Sequence, residues 1–423
     1  MFQLLKVFPS ALIVLIFCFF ISTSASDERQ KNNSQLSSGA KESRVVQLKK
    51  GAAVVGPNIQ IHPNAATEQF EPSIATHPLN PNIILAAAAT QNLPFPTNPF
   101  SRLGYYYTTD QGVTWSGHDT LPTHSVLSRI MADPSVGVDL DGNLFVSGFY
   151  GSELFVVRST DGGATWNRTT VATTSDREKP HLTSNTNAGT PHENHIYFAY
   201  SDFAPAPPPP VLFSRSTNGG QNFSTPVSVS GGIGAIAAIG VNLAVSPDSG
   251  LYATWSGSDT IGGAFFHLGF NQSSDGGISW GAARSLGTFD RLRGLSKGGD
   301  TITFFNFPVM AVDRSSGARR GWIYIVYAET TSTKPDIFLI RSTDAGSSWS
   351  SAQKVNQDTS GKDSWQPWVS VDQATGDLYV VYYDSRNFPN NDSAQVYISS
   401  STDGGVTFED ILVKRCSFLA KAA

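Results

Sequence analysis

The ten residues RSTDGGATWN, Arg158–Asn167, hold two glycines, an acid, a tryptophan and three hydroxyl side chains. Such a cluster is typical either of an active site or of a tight turn. The pattern recurs along the chain as TTDQGVTW (108–115), STNGGQNF (216–223), SSDGGISW (273–280), STDAGSSW (342–349) and STDGGVTF (401–408). A structural unit is often repeated within one chain, whereas a catalytic site rarely is. We therefore interpret these boxes as structural.

The spacing of the boxes predicts the architecture. Successive copies lie 51 to 69 residues apart, and each interval holds an apolar strand, a Gly/Asp/Asn turn and a second strand ending in aromatics, as in QPWVSVDQATGDLYVVYYD (366–384). A third strand enters each box and a fourth leaves it. Four antiparallel strands per unit, repeated six times, are the signature of a β-propeller. We predict an all-β fold, a six-bladed β-propeller of four-stranded antiparallel blades with Asp-box turns, over residues 67–413.

Each box residue has a physical role in this interpretation. The aspartate accepts hydrogen bonds from backbone N–H groups of the turn between the third and fourth strands. Gly163 and its counterparts allow positive φ, where other residues would be strained. Trp166 and its counterparts bury an aromatic face near the edge of the blade.

Sequence outside the repeats predicts export. Lys6 precedes the apolar run ALIVLIFCFFI (11–21), followed by small residues, so residues 1–25 are predicted to be a signal peptide and the protein to be secreted or periplasmic. The alternative is an uncleaved anchor. Removal of this segment leaves Cys416 as the one cysteine and no intrachain disulfide. Residues 26–66 are predicted to be a flexible linker with a possible edge strand, and residues 414–423 a C-terminal tail.

The boxes also carry a resemblance. The pattern S-x-D-x-G-x-T-W resembles the Asp-box, or BNR repeat, of sialidases, which also occurs in xyloglucan hydrolases, sortilin-type receptors and photosystem assembly factors. EPSIA (71–75) together with PWVSVD (367–372) and LYVVYYDSR (378–386) is similar to exported bacterial proteins called sialidase-like. The resemblance implies a glycoside hydrolase. Family sialidases place an arginine in an R-I-P motif in the first blade, where this chain has Glu71-Pro72-Ser73.

The resemblance implies that any site lies on the face opposite the boxes. Two sets of loops reach that face: those that lead into first strands and those that follow second strands. Carboxylates, arginines and aromatics that converge there suit a sugar site. The predicted catalytic residues are Asp384, Glu71 and Asp133, and the predicted substrate-binding residues are Arg386, Arg129, Arg177, Asp202 and Trp365. The alternative is a solvated rim of salt bridges.

Three functions stay open at this stage: an exported sialidase-like glycoside hydrolase, a non-catalytic propeller that binds glycan or protein, and another hydrolase or lyase on the same scaffold. A formal net charge of −5 with 15% charged residues gives no basic surplus for nucleic acid. The eight histidines show no metal-ligand spacing, so we expect neither metal nor cofactor. We expect the protein to bind a glycan and to be a monomer. Once the signal peptide is removed, we expect it to have no membrane span.

Overall fold

The computed structural model describes residues 2–7, 12–17, 59, 61, 67–92, 102–122, 131–204, 210–234, 236–260, 263–290, 292, 294–297, 300–303, 306–331, 334–413 and 418–419. These ranges contain no α-helix, and hence none that could span a membrane. Six antiparallel sheets of four consecutive strands follow one another, so the predicted six-bladed β-propeller is confirmed. The first strands of successive blades contact one another from blade 1 to blade 6, which makes them the innermost strands.

The strands of the six blades run in chain order. Blade 1 contains β3 (Thr67–Thr76), β4 (Ile84–Asn92), β5 (Arg102–Thr108) and β6 (Ser116–His118). Blade 2 contains β7 (Met131–Val138), β8 (Leu144–Tyr150), β9 (Glu153–Ser159) and β10 (Asn167–Thr173). Blade 3 contains β11 (Arg177–Ser184), β12 (Ile196–Asp202), β13 (Val211–Ser216) and β14 (Val227–Ser228).

The second half of the ring repeats this order. Blade 4 contains β15 (Ala237–Val245), β16 (Leu251–Ser258), β17 (Phe265–Ser273) and β18 (Arg284–Asp290). Blade 5 contains β21 (Val309–Val312), β22 (Ile323–Thr331), β23 (Lys334–Ser342) and β24 (Gln353–Lys354). Blade 6 contains β25 (Ser364–Val371), β26 (Leu378–Asp384), β27 (Ser393–Ser401) and β28 (Glu409–Leu412).

Three smaller strand pairings lie outside this scheme. The strands β1 (Phe2–Val7) and β2 (Leu12–Phe17) pair with each other within the predicted signal peptide. The strands β19 (Gly294–Lys297) and β20 (Asp300–Thr303) form a hairpin between blades 4 and 5. In the predicted tail, β29 (Phe418–Leu419) pairs with the start of β27.

Apolar side chains alternate between the two faces of the blades, and consecutive blades pack face to face from blade 1 to blade 6. Separate buried clusters join blades 1 and 2, 2 and 3, 3 and 4, 4 and 5, and 5 and 6. On the remaining face of blade 1, Ala86, Ala88 and Tyr106 pack with Ile61 and against Ile59. The segment just before the first blade therefore takes a place that a neighbouring blade takes elsewhere.

The boxes are turns between third and fourth strands, as predicted. In blade 2, Asp161 accepts hydrogen bonds from the Thr165 backbone N–H at 2.9 Å and from the Thr165 hydroxyl at 2.5 Å. The Ser159 hydroxyl donates to Asp161 at 2.7 Å and accepts from the Gly163 N–H at 2.8 Å. These donors lower the pKa of the Asp161 carboxyl to about 2. The boxes thus serve to close a hairpin.

The box tryptophan and glycine hold neighbouring blades together. Trp166 is 9% exposed, lies edge-on to Tyr105 of blade 1 at 5.0 Å between ring centroids, and donates to the Gly163 carbonyl at 3.1 Å. Gly163 has φ 93°, and a Cβ there would lie 2.7 Å from the Tyr107 ring. Glycine is therefore required both by the backbone conformation and by the close approach of blade 1.

An arginine three residues before the box aspartate links blades in a way that the sequence pattern did not reveal. The Arg158 guanidinium of blade 2 donates to the Gly219 carbonyl in the box of blade 3 at 2.8 Å. The same contact recurs from Arg215 to Gly276 at 3.4 Å and from Arg341 to Gly404 at 3.0 Å. The box of one blade is thus held by the third strand of the preceding blade.

Candidate functional site

The strand register places the boxes and the predicted site at opposite ends of the blades. In blade 3, Arg177 at the start of the first strand pairs with Asp202 at the end of the second. Ile196 at the start of the second strand pairs with Ser216, which opens the box. The loops that enter first strands and leave second strands therefore share one face, and the boxes occupy the other.

A bulge near the start of the first strand recurs around that face. Its first residue has a left-handed backbone although it is not glycine: φ is 50° at Glu71, 52° at Asp133, 47° at Lys179 and 54° at Gln366. Proline follows each of the four. Blade 4 has Gly240 with φ 71° in the equivalent bulge. Left-handed non-glycine residues carry strain, and strained residues concentrate at functional sites.

Three of these residues, from three successive blades, meet in one ion cluster. The Lys179 ammonium binds the Glu71 carboxylate at 2.6 Å and also binds the Asp133 carboxylate. The Asp133 backbone N–H donates to Glu71 at 3.0 Å, and the Lys179 backbone N–H donates to Asp133 at 3.0 Å. Oxygens bound to one ammonium lie within about 5 to 6 Å of each other. The structure thus brings together two of the three predicted catalytic carboxyls.

The cluster sets different proton affinities for its carboxyl groups. Burial, with the neighbouring Asp133 charge, raises the pKa of Glu71. Burial opposes ionisation of Asp133 too, but the Lys179 ammonium and the hydrogen bonds hold the pKa of that carboxyl below its usual value. Burial and the Asp133 charge raise the pKa of Glu178 to about 7. Carboxyls with separated pKa values are the arrangement that acid–base chemistry requires.

Exposure distinguishes the members of the cluster. The Asp133 side chain is 4% exposed, whereas the side chains of Lys179 and Glu71 are 23% and 30% exposed. Burial opposes the charge of Lys179, but Asp133 and Glu71 outweigh it and raise the pKa of the amine. Asp133 is thus the buried member, and Glu71 is the more accessible of the two carboxyls that Lys179 binds.

The predicted pair Asp384 and Arg386 lies in blade 6 and is engaged within the protein. Arg386 donates to both oxygens of Asp384, at 2.9 and 2.8 Å, and to Asp410 at 2.7 Å. Its guanidinium also lies 4.0 Å from the centre of the Tyr397 ring. The Asp384 side chain is 1% exposed, and burial raises the pKa of its carboxyl. The two side chains bind each other, and their predicted roles toward a ligand stay predictions.

The other predicted binding residues are spread over the same face. Arg177 lies over the Phe149 ring at 4.4 Å and donates to the Ser175 carbonyl at 3.3 Å. Asp202 accepts from the Thr174 hydroxyl at 2.7 Å and is 7% exposed. Trp365 is 2% exposed and packs against Tyr383. Arg129 lies outside the described residues.

The residues predicted from the sequence do not include Lys179 and Glu178, which lie in β11 at the start of blade 3. The signal that was available is the repeated x-Pro at the first-strand bulge: Glu71-Pro72, Asp133-Pro134, Lys179-Pro180 and Gln366-Pro367. Alignment of these dipeptides places Lys179 in register with the two predicted carboxyls. Among the described residues, no group of three or more His, Cys, Asp or Glu has the arrangement of a metal site.

Comparison with known proteins supports the fold. A family model of the BNR/Asp-box repeat matches residues 106–116. A search of curated proteins found no match. Among solved structures, a Dyadobacter fermentans protein of unknown function is similar at 15% identity and a TM-score of 0.50, over 77% of this chain and 92% of that one.

Two enzymes are similar to the same degree. The α-L-arabinofuranosidase of Fusarium graminearum, in complex with arabinobiose, matches at 15% identity and a TM-score of 0.50, over 81% of this chain and 96% of that one. The leech intramolecular trans-sialidase matches at 14% identity and a TM-score of 0.50, over 82% and 68%. Likeness at this identity extends to the fold alone.

Proposed function

We propose that this Asp-box (BNR) β-propeller is an exported, sialidase-like glycoside hydrolase acting on glycans at the face opposite its boxes. The observation that carries the proposal is the cluster of Glu71, Asp133, Glu178 and Lys179, in which a buried ion pair sits beside carboxyls of raised pKa. Export is supported by the apolar run at residues 11–21.

The roles follow from protonation and access. Glu178, with a pKa of about 7, carries a proton in a large fraction of molecules at neutral pH and can donate it to the leaving glycosidic oxygen. Glu71, which is more exposed than Asp133 and is bound by the Lys179 ammonium, acts as base or nucleophile. Asp133 and Lys179 hold both groups in place. Asp384 stays a predicted acid or base, and its variant belongs in the same test.

The test is turnover of a panel of aryl glycosides, including a sialoside and an arabinofuranoside, by the full-length protein. Glu178→Gln and Glu71→Gln should each lower kcat by at least about 100-fold, the usual contribution of general acid–base catalysis. Glu409→Gln is the matched control, because Glu409 is an exposed glutamate at the start of β28. Full activity in both cluster variants would contradict the proposal.

The pH profile gives a second readout. Loss of the Glu178 proton should reduce kcat as pH rises through about 7. Glu178→Gln should remove this limb from its residual activity, because glutamine does not titrate. A residual profile identical to that of the unchanged protein would assign the proton donor elsewhere.

A non-catalytic glycan-binding propeller is the second candidate, and one observation favours it. Lys179 binds both predicted carboxylates, so the cluster is largely neutralised within the protein. Stoichiometric binding of an oligosaccharide without turnover over the whole pH range would support this candidate against the hydrolase.

A further inference from the structure

The loops between the first and second strands lie at the box end of the blades, next to the propeller axis, because the first strands are innermost. In each blade the residue after the first strand donates its backbone N–H to the residue before the second strand, as from Asn185 to His195 and from Asp313 to Trp322. The next residue of each loop is therefore in an equivalent position. From blade 1 to blade 6 these residues are Pro78, Leu140, Thr186, Pro247, Arg314 and Gln373.

Arg314 of blade 5 is the one charged residue of this set, and it contacts two other members. Its backbone N–H donates to Gln373 Oε1 of blade 6 at 2.7 Å. Its Nη1 donates to the Thr186 hydroxyl of blade 3 at 2.8 Å. Blade 4 separates blades 3 and 5 along the ring, so the side chain reaches blade 3 on the axis side of blade 4. The guanidinium thus lies in the box-side mouth of the central channel.

A second guanidinium from the same loop accompanies Arg314. Arg320 Nη1 donates to the carbonyls of Arg314 and Ser315 at 2.7 and 3.1 Å. Burial and the Arg320 charge lower the pKa of Arg314. In the part of the chain that the structure describes, neither guanidinium has a salt bridge to a carboxylate. Arg319 differs, since it lies 3.7 Å from the Asp377 carboxylate.

The mouth therefore offers hydrogen-bond donors and positive charge without a counter-ion. A guanidinium carries five N–H donors, and a threonine hydroxyl that accepts one hydrogen bond can still donate its own proton. Arg314 and Thr186 are partly exposed and Arg320 is exposed, so solvent reaches all three. The Asp313 carboxylate is used within its own turn, where it accepts from the Ser315 N–H at 2.8 Å. Two guanidinium groups and one hydroxyl suit a tetrahedral oxyanion, which has more acceptor oxygens than a carboxylate.

We propose that the box-side mouth of the channel binds a sulfate or phosphate group between the Arg314 and Arg320 guanidiniums, with the Thr186 hydroxyl as a third donor. The group is either a free ion or an ester on a sugar. This site lies at the end of the propeller opposite the Glu71 cluster, so the inference does not depend on the proposed hydrolase.

The test is isothermal titration calorimetry of the full-length protein with inorganic sulfate, inorganic phosphate, glucose 6-phosphate and acetate, at constant ionic strength in chloride. At least one tetrahedral anion should bind, and more tightly than acetate. Arg314→Met should weaken that binding at least about tenfold, as expected for lost charge-assisted hydrogen bonds. Arg314→Lys should restore only part of the affinity, because lysine lacks the planar fork. Arg320→Met should also weaken binding, and it repeats the test should Arg314→Met not fold.

Arg158→Met is the matched control. It removes one positive charge from the same face, where Arg158 donates to the Gly219 carbonyl in the box of blade 3, and it should leave the affinity unchanged. An affinity lowered equally by Arg158→Met and Arg314→Met would show general charge attraction and overturn the proposal. Affinity unchanged in Arg314→Met, tighter binding of acetate, or no binding of any tetrahedral anion would also overturn it.

The remaining outcomes identify the source of the group and keep the two proposals apart. Binding that depends on Arg314 and favours glucose 6-phosphate supports a sugar ester as the ligand, whereas the reverse preference supports a free ion. Glycoside turnover is measured separately. Turnover without anion binding rejects this inference alone, and anion binding that depends on Arg314 without turnover supports it while rejecting the hydrolase.

Discussion

Replacement of Trp166 by alanine should destabilise the propeller without touching the proposed site. A buried tryptophan removes about 150–250 Å² from water, which at about 25 cal/mol per Å² is roughly 4–6 kcal/mol. Residual burial in the unfolded chain reduces this by about 10–40%, to roughly 3–5 kcal/mol, in line with the cost of core Trp→Ala changes. Trp166 qualifies because it is 9% exposed and its indole is hydrogen-bonded and packed on Tyr105.

The assay is urea denaturation followed by circular dichroism, with binding or turnover measured under native conditions. Val113→Ala serves as the control, since this box residue is 66% exposed and should change the free energy of unfolding by less than about 0.5 kcal/mol. Glycan binding or turnover should persist in Trp166→Ala below its unfolding transition. An unchanged midpoint together with lost function would refute the structural interpretation of the boxes.

Three further predictions concern charge. Lys179→Met leaves the Glu71 and Asp133 carboxylates without their ammonium. Because these side chains are up to 30% exposed, the loss in free energy of unfolding should be smaller than for a fully buried pair, about 1–3 kcal/mol by chemical denaturation at pH 7. A midpoint at or above that of the unchanged protein would contradict this prediction. Arg386→Met leaves the carboxylates of Asp384, which is 1% exposed, and of Asp410 without their shared counter-charge and should lower the free energy of unfolding by about 3–5 kcal/mol. Asp384→Asn should lower it less. The reverse order in thermal melts would refute the ion-pair assignment. The box carboxyls Asp275 and Asp403 have pKa values of about 2, below the usual 3.8. Their contribution to folding stability is therefore complete above pH 3.8 and is lost as pH falls through 2. Melting midpoints should drop over that window, and less steeply in Asp275→Asn.

Asp384 and Arg386 show how far sequence spacing alone carries a site prediction. Two residues apart at the end of β26, they are expected to point the same way, and their side chains are hydrogen-bonded to each other. Spacing could not reveal Asp410, 24 residues further on, whose carboxylate takes another edge of the guanidinium. Whether a charged pair faces a ligand or its own protein depends on which other strands lie beside it.

The sequence by itself determined the repeat, the blade and the box. These features are local: the Asp161 turn closes through hydrogen bonds between residues two to four positions apart, so the residues that encode it lie together in the chain. The tertiary structure alone decided the candidate site. Lys179 meets Glu71 over a separation of 108 residues, because the ring brings the bulges of three first strands together and a left-handed backbone directs each side chain. The repeated x-Pro marks the bulge in the sequence, but the residue before proline differs from blade to blade, so the repeat does not reveal which of these side chains meet.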